Sequence, residues 1–126
     1  MSKWVLDSSA ILAVMLSEKG CEKVKERFPE SSISTVNLAE VLSKLAERNL
    51  LIGQDVQDFE NLEISIVDFD VEQALKAAEL RPLTKHLGLS LGDRSCLALA
   101  IIQGATAVTA DRAWKTLSFC PIEVIR

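Results

Sequence analysis

Four acidic residues are spaced so that their carboxylates could meet around a divalent cation. They are Asp7, Glu40, Asp93 and Asp111. Carboxylates that share a site repel one another unless a cation lies between them. Oxygen ligands without histidine or cysteine suit Mg²⁺ or Mn²⁺, and such ions keep bound waters and complete their coordination with substrate phosphate oxygens. The reaction that fits this set of residues is metal-dependent hydrolysis of a phosphodiester bond.

Two of these acids follow predicted β-strands. Residues 3–7 (KWVLD) and 105–109 (ATAVT) are short apolar stretches, so Asp7 ends one strand and Asp111 comes two residues after the other. Either carboxylate could instead cap the helix that follows it. Because ligands of parallel α/β sheets bind beyond the carboxyl ends of the strands, both acids are expected at that edge.

Asp93 has two interpretations. Residues 90–93 (SLGD) have the spacing of a capping box, in which Asp93 closes the first turn of a helix that reaches Gln103. That helix is apolar on every side and is predicted to be fully buried, and Asp93 shares a face with Leu97 and Ala100. A carboxylate on a buried face needs a cation or several hydrogen-bond donors.

Glu40 lies on the clearest amphipathic helix of the sequence, predicted over residues 35–50. The apolar stripe of that helix is formed by Leu38, Val41, Leu42 and Leu45. Glu40 is roughly opposite this stripe and beside Asn37, a position that solvent exposure alone would explain. The inclusion of Glu40 in the set rests on the evidence for the other three acids. An acid in the early turns of a helix that follows the second strand could lie over the same sheet edge as they do.

Strands that alternate with helices predict an α/β fold. Further strands are predicted over residues 31–34, 64–68 and 122–125, and further helices over residues 8–16, 21–28, 54–62, 71–80 and 111–117. The helix at 71–80 is expected to end before Pro82. Five strands connected through helices predict a three-layer α/β/α sandwich with a central parallel sheet, formed as a single domain by residues 1–126.

Composition and charge limit the classes of function. A formal net charge of −4 argues against an extended basic surface for nucleic acid. If four of the 18 acidic residues hold a metal, the other 14 balance the 14 lysines and arginines, so a polyanionic substrate stays compatible. Three cysteines without CxxC spacing and one histidine make no conventional zinc site. With no membrane span and no signal-peptide core in the sequence, a cytoplasmic protein is expected.

At the four acids the sequence resembles the PIN-domain nucleases, and in particular the VapC-type toxins of bacterial and archaeal toxin–antitoxin pairs. The similarity lies in residues 5–10 (VLDSSA), 34–41 (STVNLAEV), 89–100 (LSLGDRSCLALA) and 108–112 (VTADR). Each motif is weak alone. Four motifs in this order, in a chain of the usual size for the family, form a specific signal.

The resemblance implies an Mg²⁺- or Mn²⁺-dependent endoribonuclease that cleaves RNA and is inhibited by a cognate VapB-like antitoxin. It makes the four acids both the metal ligands and the catalytic quartet: Asp7, Glu40, Asp93 and Asp111. Thr109 matches a polar position near the fourth acid, where a hydroxyl could bind a water or a metal-linked carboxylate, although an ordinary strand residue would look the same. Some family members carry a further acid where this chain has Ala113, which leaves the number of metal ions open.

Arg112 directly follows the fourth acid and is the basic residue expected to contact a substrate phosphate. A homodimer is also expected, because 48% of the residues are hydrophobic and a domain this small cannot bury all of them. The resemblance adds that such proteins pair through helices and leave a groove for an antitoxin helix.

Two other functions stay open on the sequence alone. A receiver-like signalling domain has similar length, acidity and Mg²⁺ dependence, and its phosphoacceptor would be Asp68. It fits less well because only one acid, Asp7, follows the first strand. A non-catalytic PIN-like scaffold that binds proteins would keep the fold without using the acids.

Overall fold

The computed structural model describes residues 2–51 and 53–126, and these form a five-stranded, all-parallel sheet with helices on both faces. The strands are β1 (Trp4–Leu6), β2 (Ser31–Ser34), β3 (Ser65–Val67), β4 (Thr106–Thr109) and β5 (Ile122–Val124). The α-helices are α1 (Ser8–Met15), α2 (Cys21–Arg27), α3 (Thr35–Glu47), α4 (Asp55–Asn61), α5 (Val71–Thr84) and α6 (Leu91–Gln103). The predicted α/β/α sandwich is confirmed; Met1 and Ile52, which the predicted domain includes, lie outside the described residues.

The strand order β3-β2-β1-β4-β5 places β1 at the centre of the sheet. Leu6 of β1 pairs with Val108 of β4, and Val5 pairs with Ser32 of β2. The chain leaves β1 toward β2 and later returns on the other side of β1 as β4, so the strand order reverses between these two strands. This is the switch point where ligands of such sheets bind, beyond the carboxyl ends of the strands.

Two apolar cores lie on opposite faces of the sheet. Leu6, with Ile33 and Val108 from neighbouring strands, packs in one core together with residues of α1 to α4. Val5 faces the other way and packs with residues of α5 and α6. Successive strand residues point to opposite faces, so β1 is buried on both sides and its carboxyl end is held rigidly.

Two expectations for the second helical layer are wrong. Helix α5 runs to Thr84 with Pro82 inside it, although it was expected to stop before the proline. Pro82 and Ala78 are both exposed, so the carbonyl group that the proline leaves without an N–H donor can bind water. Helix α6 is buried over residues 95–100, but its last turn is partly exposed.

The remaining elements match within a few residues, except that the helix predicted over residues 111–117 is a short 3-10 helix, Arg112–Thr116. Two further such segments are Phe28–Glu30, which precedes β2, and Lys85–Leu87, which follows α5. No helix in the described part of the chain combines the length and the apolar character that crossing a membrane requires.

Candidate metal centre

Asp7 lies at the carboxyl end of β1 with 3% of its surface exposed. Its Oδ1 accepts hydrogen bonds from the Ala10 backbone N–H at 2.9 Å and from the Ser9 hydroxyl at 2.7 Å. Its Oδ2 accepts one from the Thr109 hydroxyl at 2.6 Å. The capping role considered for Asp7 is therefore confirmed, since it is the N-cap of α1, and three donors fix the orientation of its carboxylate.

Thr109 connects the ends of β1 and β4. It is fully buried, and while its hydroxyl donates to Asp7, the same oxygen accepts the backbone N–H of Asp111 at 3.0 Å. Ser9 makes a parallel connection, because its hydroxyl donates to Asp7 and accepts the backbone N–H of Ala110 at 2.9 Å. Sequence reasoning missed Ser9; the signal that could have found it is a hydroxyl residue two positions after an acid that ends a strand.

Asp93 stands in the first turn of α6, where both bonds of the predicted capping box form. The Ser90 N–H donates to Asp93 Oδ2 at 2.9 Å, and the Asp93 N–H donates to Ser90 Oγ at 3.1 Å. One turn later the Cys96 thiol contacts the Val5 carbonyl oxygen at 3.7 Å, which ties α6 to β1. Asp93 is half-buried and lies close enough to Asp7 for its charge to raise the pKa of that carboxyl.

Glu40 lies between α3 and α6. Its carboxylate rests on Gly92, the residue before Asp93, and accepts a hydrogen bond from the Asn37 amide at 2.9 Å. Solvent exposure was the alternative explanation for Glu40, but this side of α3 is not open to solvent, because the neighbouring Asn37 is 1% exposed. Helix α6 packs against this side of α3 and covers Asn37 while leaving Glu40 half-buried.

Asp111 is exposed and lies at the edge of this group. Its Oδ1 accepts the backbone N–H of Ala113 at 2.9 Å, so it is the N-cap of the 3-10 helix that follows β4. Arg112, the next residue, is exposed as well, and Trp114 one turn on is fully buried in the second core. Of the four acids, here called the acidic site, three lie around the start of α6 and Asp111 connects to them through Thr109.

Burial has the largest effect on the electrostatics of the acidic site, and like charge adds to it. Desolvation raises the pKa of Asp7 from 3.8 to about 6, against the hydrogen bonds from Thr109, Ser9 and Ala10, which lower it, while the Asp93 charge raises it further. The pKa of the buried Cys96 thiol is raised mainly by burial, and the negative charges of Asp7, Asp93 and Glu40 add to it. Within the described residues, no lysine or arginine forms an ion pair with any of the four acids.

The chemistry of these donors fits a hard divalent cation. The side chains that could act as ligands offer carboxylate or hydroxyl oxygens, and a buried carboxylate beside a second one is stabilised by a nearby positive charge. No three carboxylate, imidazole or thiol side chains in residues 2–51 and 53–126 form a ready-made metal cage. Mg²⁺ is usually held by one or two carboxylates and several waters, so a pair of acids is sufficient for this kind of site.

The sheet topology decides against the receiver-like alternative. A flavodoxin-like or receiver sheet has the order 2-1-3-4-5, in which the first strand lies between the second and the third. Here β1 lies between β2 and β4, and Asp68 follows the edge strand β3 rather than a central one. That interpretation is therefore wrong.

Comparison with known proteins agrees with this topology. The family model described as PIN domain matches residues 4–119. No curated protein sequence matches the chain. Among solved structures, a toxin–antitoxin complex from Klebsiella pneumoniae is 16% identical over 97% of both chains, with a TM-score of 0.78. A DNA-bound VapBC from Salmonella typhimurium is 20% identical over 100% of both chains, with a TM-score of 0.74.

A third solved structure, FitAcB from Neisseria gonorrhoeae, is 21% identical over 94% of this chain and 95% of its own, with a TM-score of 0.71. At these identities the three structures establish the shared fold. The family model covers four of the five strands, β1 to β4, and all four residues of the acidic site. The chain belongs to the PIN domain family.

Proposed function

We propose that this PIN domain is a VapC-like endoribonuclease that hydrolyses RNA phosphodiester bonds with Mg²⁺ or Mn²⁺. The observation that carries the proposal is the burial of Asp7 at the switch point of the sheet, within reach of the Asp93 charge and with Glu40 against the neighbouring Gly92. Among the described residues, no cationic side chain pairs with these acids. Such a site lacks the positive charge that it needs. A bound divalent ion would supply that charge and activate a water for attack on phosphorus.

Each residue of the acidic site has a distinct role in this proposal. Asp7 and Asp93 would hold the ion, while Glu40 and Asp111 would add oxygen ligands directly or through water. Thr109 keeps the Asp7 carboxylate in one orientation through its hydroxyl. Because the Ser9 and Thr109 hydroxyls hold the Asp7 carboxylate in place, little rearrangement of Asp7 would be needed for an ion to bind.

Arg112 is the candidate for a substrate contact. It is exposed beside Asp111, and its guanidinium has no ion-pair partner among the described residues. A free guanidinium next to a cation-binding carboxylate suits a phosphate of the RNA backbone, which it can bind through two hydrogen bonds.

The test is cleavage of single-stranded RNA by the purified protein, separated from any antitoxin, with Mn²⁺ or with EDTA. We expect cleavage only with the metal, and a loss on the order of a thousandfold in Asp93→Asn, because the cation would be held by fewer charges. The asparagine oxygen can still accept the Ser90 N–H and Ser90 remains the N-cap, so α6 should persist. The matched control is Asp70→Asn, since Asp70 is an exposed aspartate whose carboxylate also accepts a backbone N–H at the start of a helix, as the N-cap of α5.

Cleavage that continues in EDTA, or in a preparation of Asp93→Asn purified in parallel, would contradict the metal mechanism. A folded wild-type protein that cleaves no RNA under any metal condition would instead favour the non-catalytic scaffold.

We also propose that a VapB-like antitoxin inhibits this protein and that the pair acts in the cytoplasm. The proposal is supported by the family and by the solved structures of similar fold, which include toxin–antitoxin complexes. Co-expression with the product of an adjacent reading frame should give a complex without ribonuclease activity, and activity should return when that partner is removed. Two separately purified proteins that do not associate would count against it.

A homodimer is the third proposal, and it is supported by the outer face of α5. Val71 and Leu75 stand one turn apart on this face with 85% and 63% of their surfaces exposed, which is costly for a monomer in water. A second copy of the chain is the partner we propose for it. Sedimentation at about tens of micromolar should show a dimer, and Leu75→Lys should give a monomer; a wild-type monomer at that concentration would contradict the proposal.

A further inference from the structure

Asn37 is a buried amide that joins α3 to α6 beside the acidic site. Its Nδ2 group donates one hydrogen bond to Glu40 Oε1 at 2.9 Å and another to the Gly92 carbonyl oxygen at 3.0 Å. Asn37 is 1% exposed. Both hydrogens of the amide are therefore used to hold a carboxylate of one helix against the backbone of another.

Gly92 forms the other side of this contact. A Cβ atom at Gly92 would lie 2.3 Å and 2.4 Å from the two carboxylate oxygens of Glu40 and 2.5 Å from its carboxyl carbon. The backbone of Gly92 is ordinary helix without positive φ, so glycine is required here for close approach and not for conformation. The Glu40 carboxylate thus occupies the volume that the Cβ atom of any other residue at position 92 would fill.

The Asn37 side-chain oxygen lowers the contribution of this arrangement to the stability of the fold. Oδ1 is buried and accepts no hydrogen bond from any described residue, and a buried acceptor without a donor disfavours folding. The amide group is nevertheless suited to a carboxylate that must keep its charge. A lysine or arginine in its place would neutralise Glu40 and compete with a cation, whereas an amide orients the carboxylate and leaves its charge available.

We propose that Asn37 and Gly92 are positioning residues that hold the Glu40 carboxylate in the acidic site, so that Glu40 binds the divalent ion from a fixed position. This inference rests on the proposed function, since it assumes that the acidic site binds Mg²⁺ or Mn²⁺. A glutamate side chain has several rotatable bonds, and fixing it before the ion arrives removes the entropy loss that binding would otherwise include. Residues that orient a metal ligand usually affect affinity about 10- to 100-fold.

The test is a double-mutant cycle on Mn²⁺ affinity, measured by calorimetry with the full chain. Asn37→Ala and Glu40→Ala should each weaken Mn²⁺ binding by about tenfold or more. In the double variant the loss should equal that of Glu40→Ala alone, because Asn37 then has no carboxylate to hold. Gly92→Ala should weaken Mn²⁺ binding in the same way with Asn37 intact, which tests the carboxylate position even when Asn37→Ala fails to fold.

The matched control is Gln73→Ala. Gln73 is also a buried amide, 3% exposed, which donates to a backbone carbonyl at 2.8 Å and has a buried oxygen without a donor, but it touches none of the four acids. It should lower stability in urea and leave Mn²⁺ affinity unchanged.

Three outcomes would overturn the inference while the proposed function stands. They are wild-type Mn²⁺ affinity in Asn37→Ala and in Gly92→Ala, wild-type affinity in Glu40→Ala, or a full additional loss when Asn37→Ala is added to Glu40→Ala. A wild-type protein that neither binds Mn²⁺ nor cleaves RNA would overturn the proposed function itself.

Discussion

Glu123 and Asp7 are both carboxylates with reduced exposure to water. Of the two, only Glu123 has a cationic side chain of the described residues beside it. The Arg27 guanidinium donates to both Glu123 oxygens, through Nε at 3.2 Å and Nη2 at 3.0 Å, and its carbon lies 4.4 Å from the centre of the Trp4 ring. The side chains of the pair are about a quarter exposed. Asp7 has hydroxyl and amide donors and acidic neighbours instead.

The two regions therefore differ in where the positive charge comes from. The Arg27–Glu123 pair is complete within the chain and connects α2 to β5. The acidic site has no such partner among the described side chains, so the burial of Asp7 there carries a cost that a bound cation would remove. A carboxylate with an internal partner serves stability, and one without such a partner, held in a fixed position, is a candidate for binding.

The variant with the largest expected effect introduces a cationic side chain into the acidic site. Glu40→Lys places an ammonium group where we propose that the metal binds, and the two positive charges exclude each other. We expect Mn²⁺ binding to be lost and RNA cleavage to fall about a thousandfold or more. The control is Glu47→Lys on the same helix, where the glutamate is exposed, and it should cleave RNA like wild type. Cleavage by Glu40→Lys near the wild-type rate would contradict the role of the acidic site.

The cost of the unpaired Asp7 should be visible in the pH dependence of stability without metal. Its folded-state pKa of about 6 lies above its ordinary value of 3.8, so the folded protein holds this proton more tightly than the unfolded chain. The free energy of unfolding should therefore fall as the pH rises through this range, by about 3 kcal/mol in total.

The experiment compares wild type with Asp7→Asn in urea and EDTA. The variant has no carboxylate to desolvate, so its stability relative to wild type should rise by about 1.4 kcal/mol from about pH 5 to about pH 7.5. Added Mn²⁺ should stabilise wild type and leave the variant unchanged. A constant difference across this pH range would show that burial of Asp7 costs nothing.

Removal of the Arg27 guanidinium should lower the free energy of unfolding and leave RNA cleavage unchanged. Arg27→Met keeps the apolar stem over Trp4 and leaves Glu123 without its partner. We expect a loss of about 1–2 kcal/mol in urea unfolding, since the pair is charge-assisted yet partly hydrated, and unchanged RNA cleavage. Lys25→Met on the same helix breaks an exposed pair with Glu22 and should cost little. Equal losses of stability in the two variants would show that the Arg27–Glu123 pair stabilises the fold no more than an exposed pair does.

The smallest expected effect concerns the free cation beside the acidic site. Arg112→Ala should raise KM for RNA a few-fold with kcat nearly unchanged, because a ground-state phosphate contact contributes equally to substrate and transition state. Steady-state kinetics on a short oligoribonucleotide give both constants. Lys115→Ala, in the same exposed segment, is the control. A fall in kcat with KM unchanged would place Arg112 in the chemical step instead.

The position of the acidic site follows from the sequence more directly than its internal contacts do. Parallel strands end at one edge, so two acids that follow strands must lie near each other there. The burial of Asn37 could not be predicted in the same way, because it depends on α6, whose Gly92 is 55 residues away along the chain. Local periodicity describes one face of a helix and does not show which later helix will cover the other.

The helix that continues through Pro82 has a similar explanation. Local rules for proline predict an end, but the tertiary contacts of Leu80 and Thr84 on the buried side hold the last turn in place. Capping was also confirmed for Asp7, Asp93 and Asp111, and it does not compete with metal binding, because a carboxylate has two oxygens and about four acceptor positions.

The hydrogen bond between Thr109 and Asp7 spans 102 positions of the chain. During synthesis β1 leaves the ribosome early, and its neighbour β4 follows much later. Thr109, whose hydroxyl orients Asp7, lies at the end of β4, and only Asp111 of the acidic site comes after it. A partial chain therefore holds the carboxylates without the arrangement that we propose makes them active. In the proposed function, the growing chain therefore gains its activity toward RNA only after Thr109 has been added, 102 positions after Asp7.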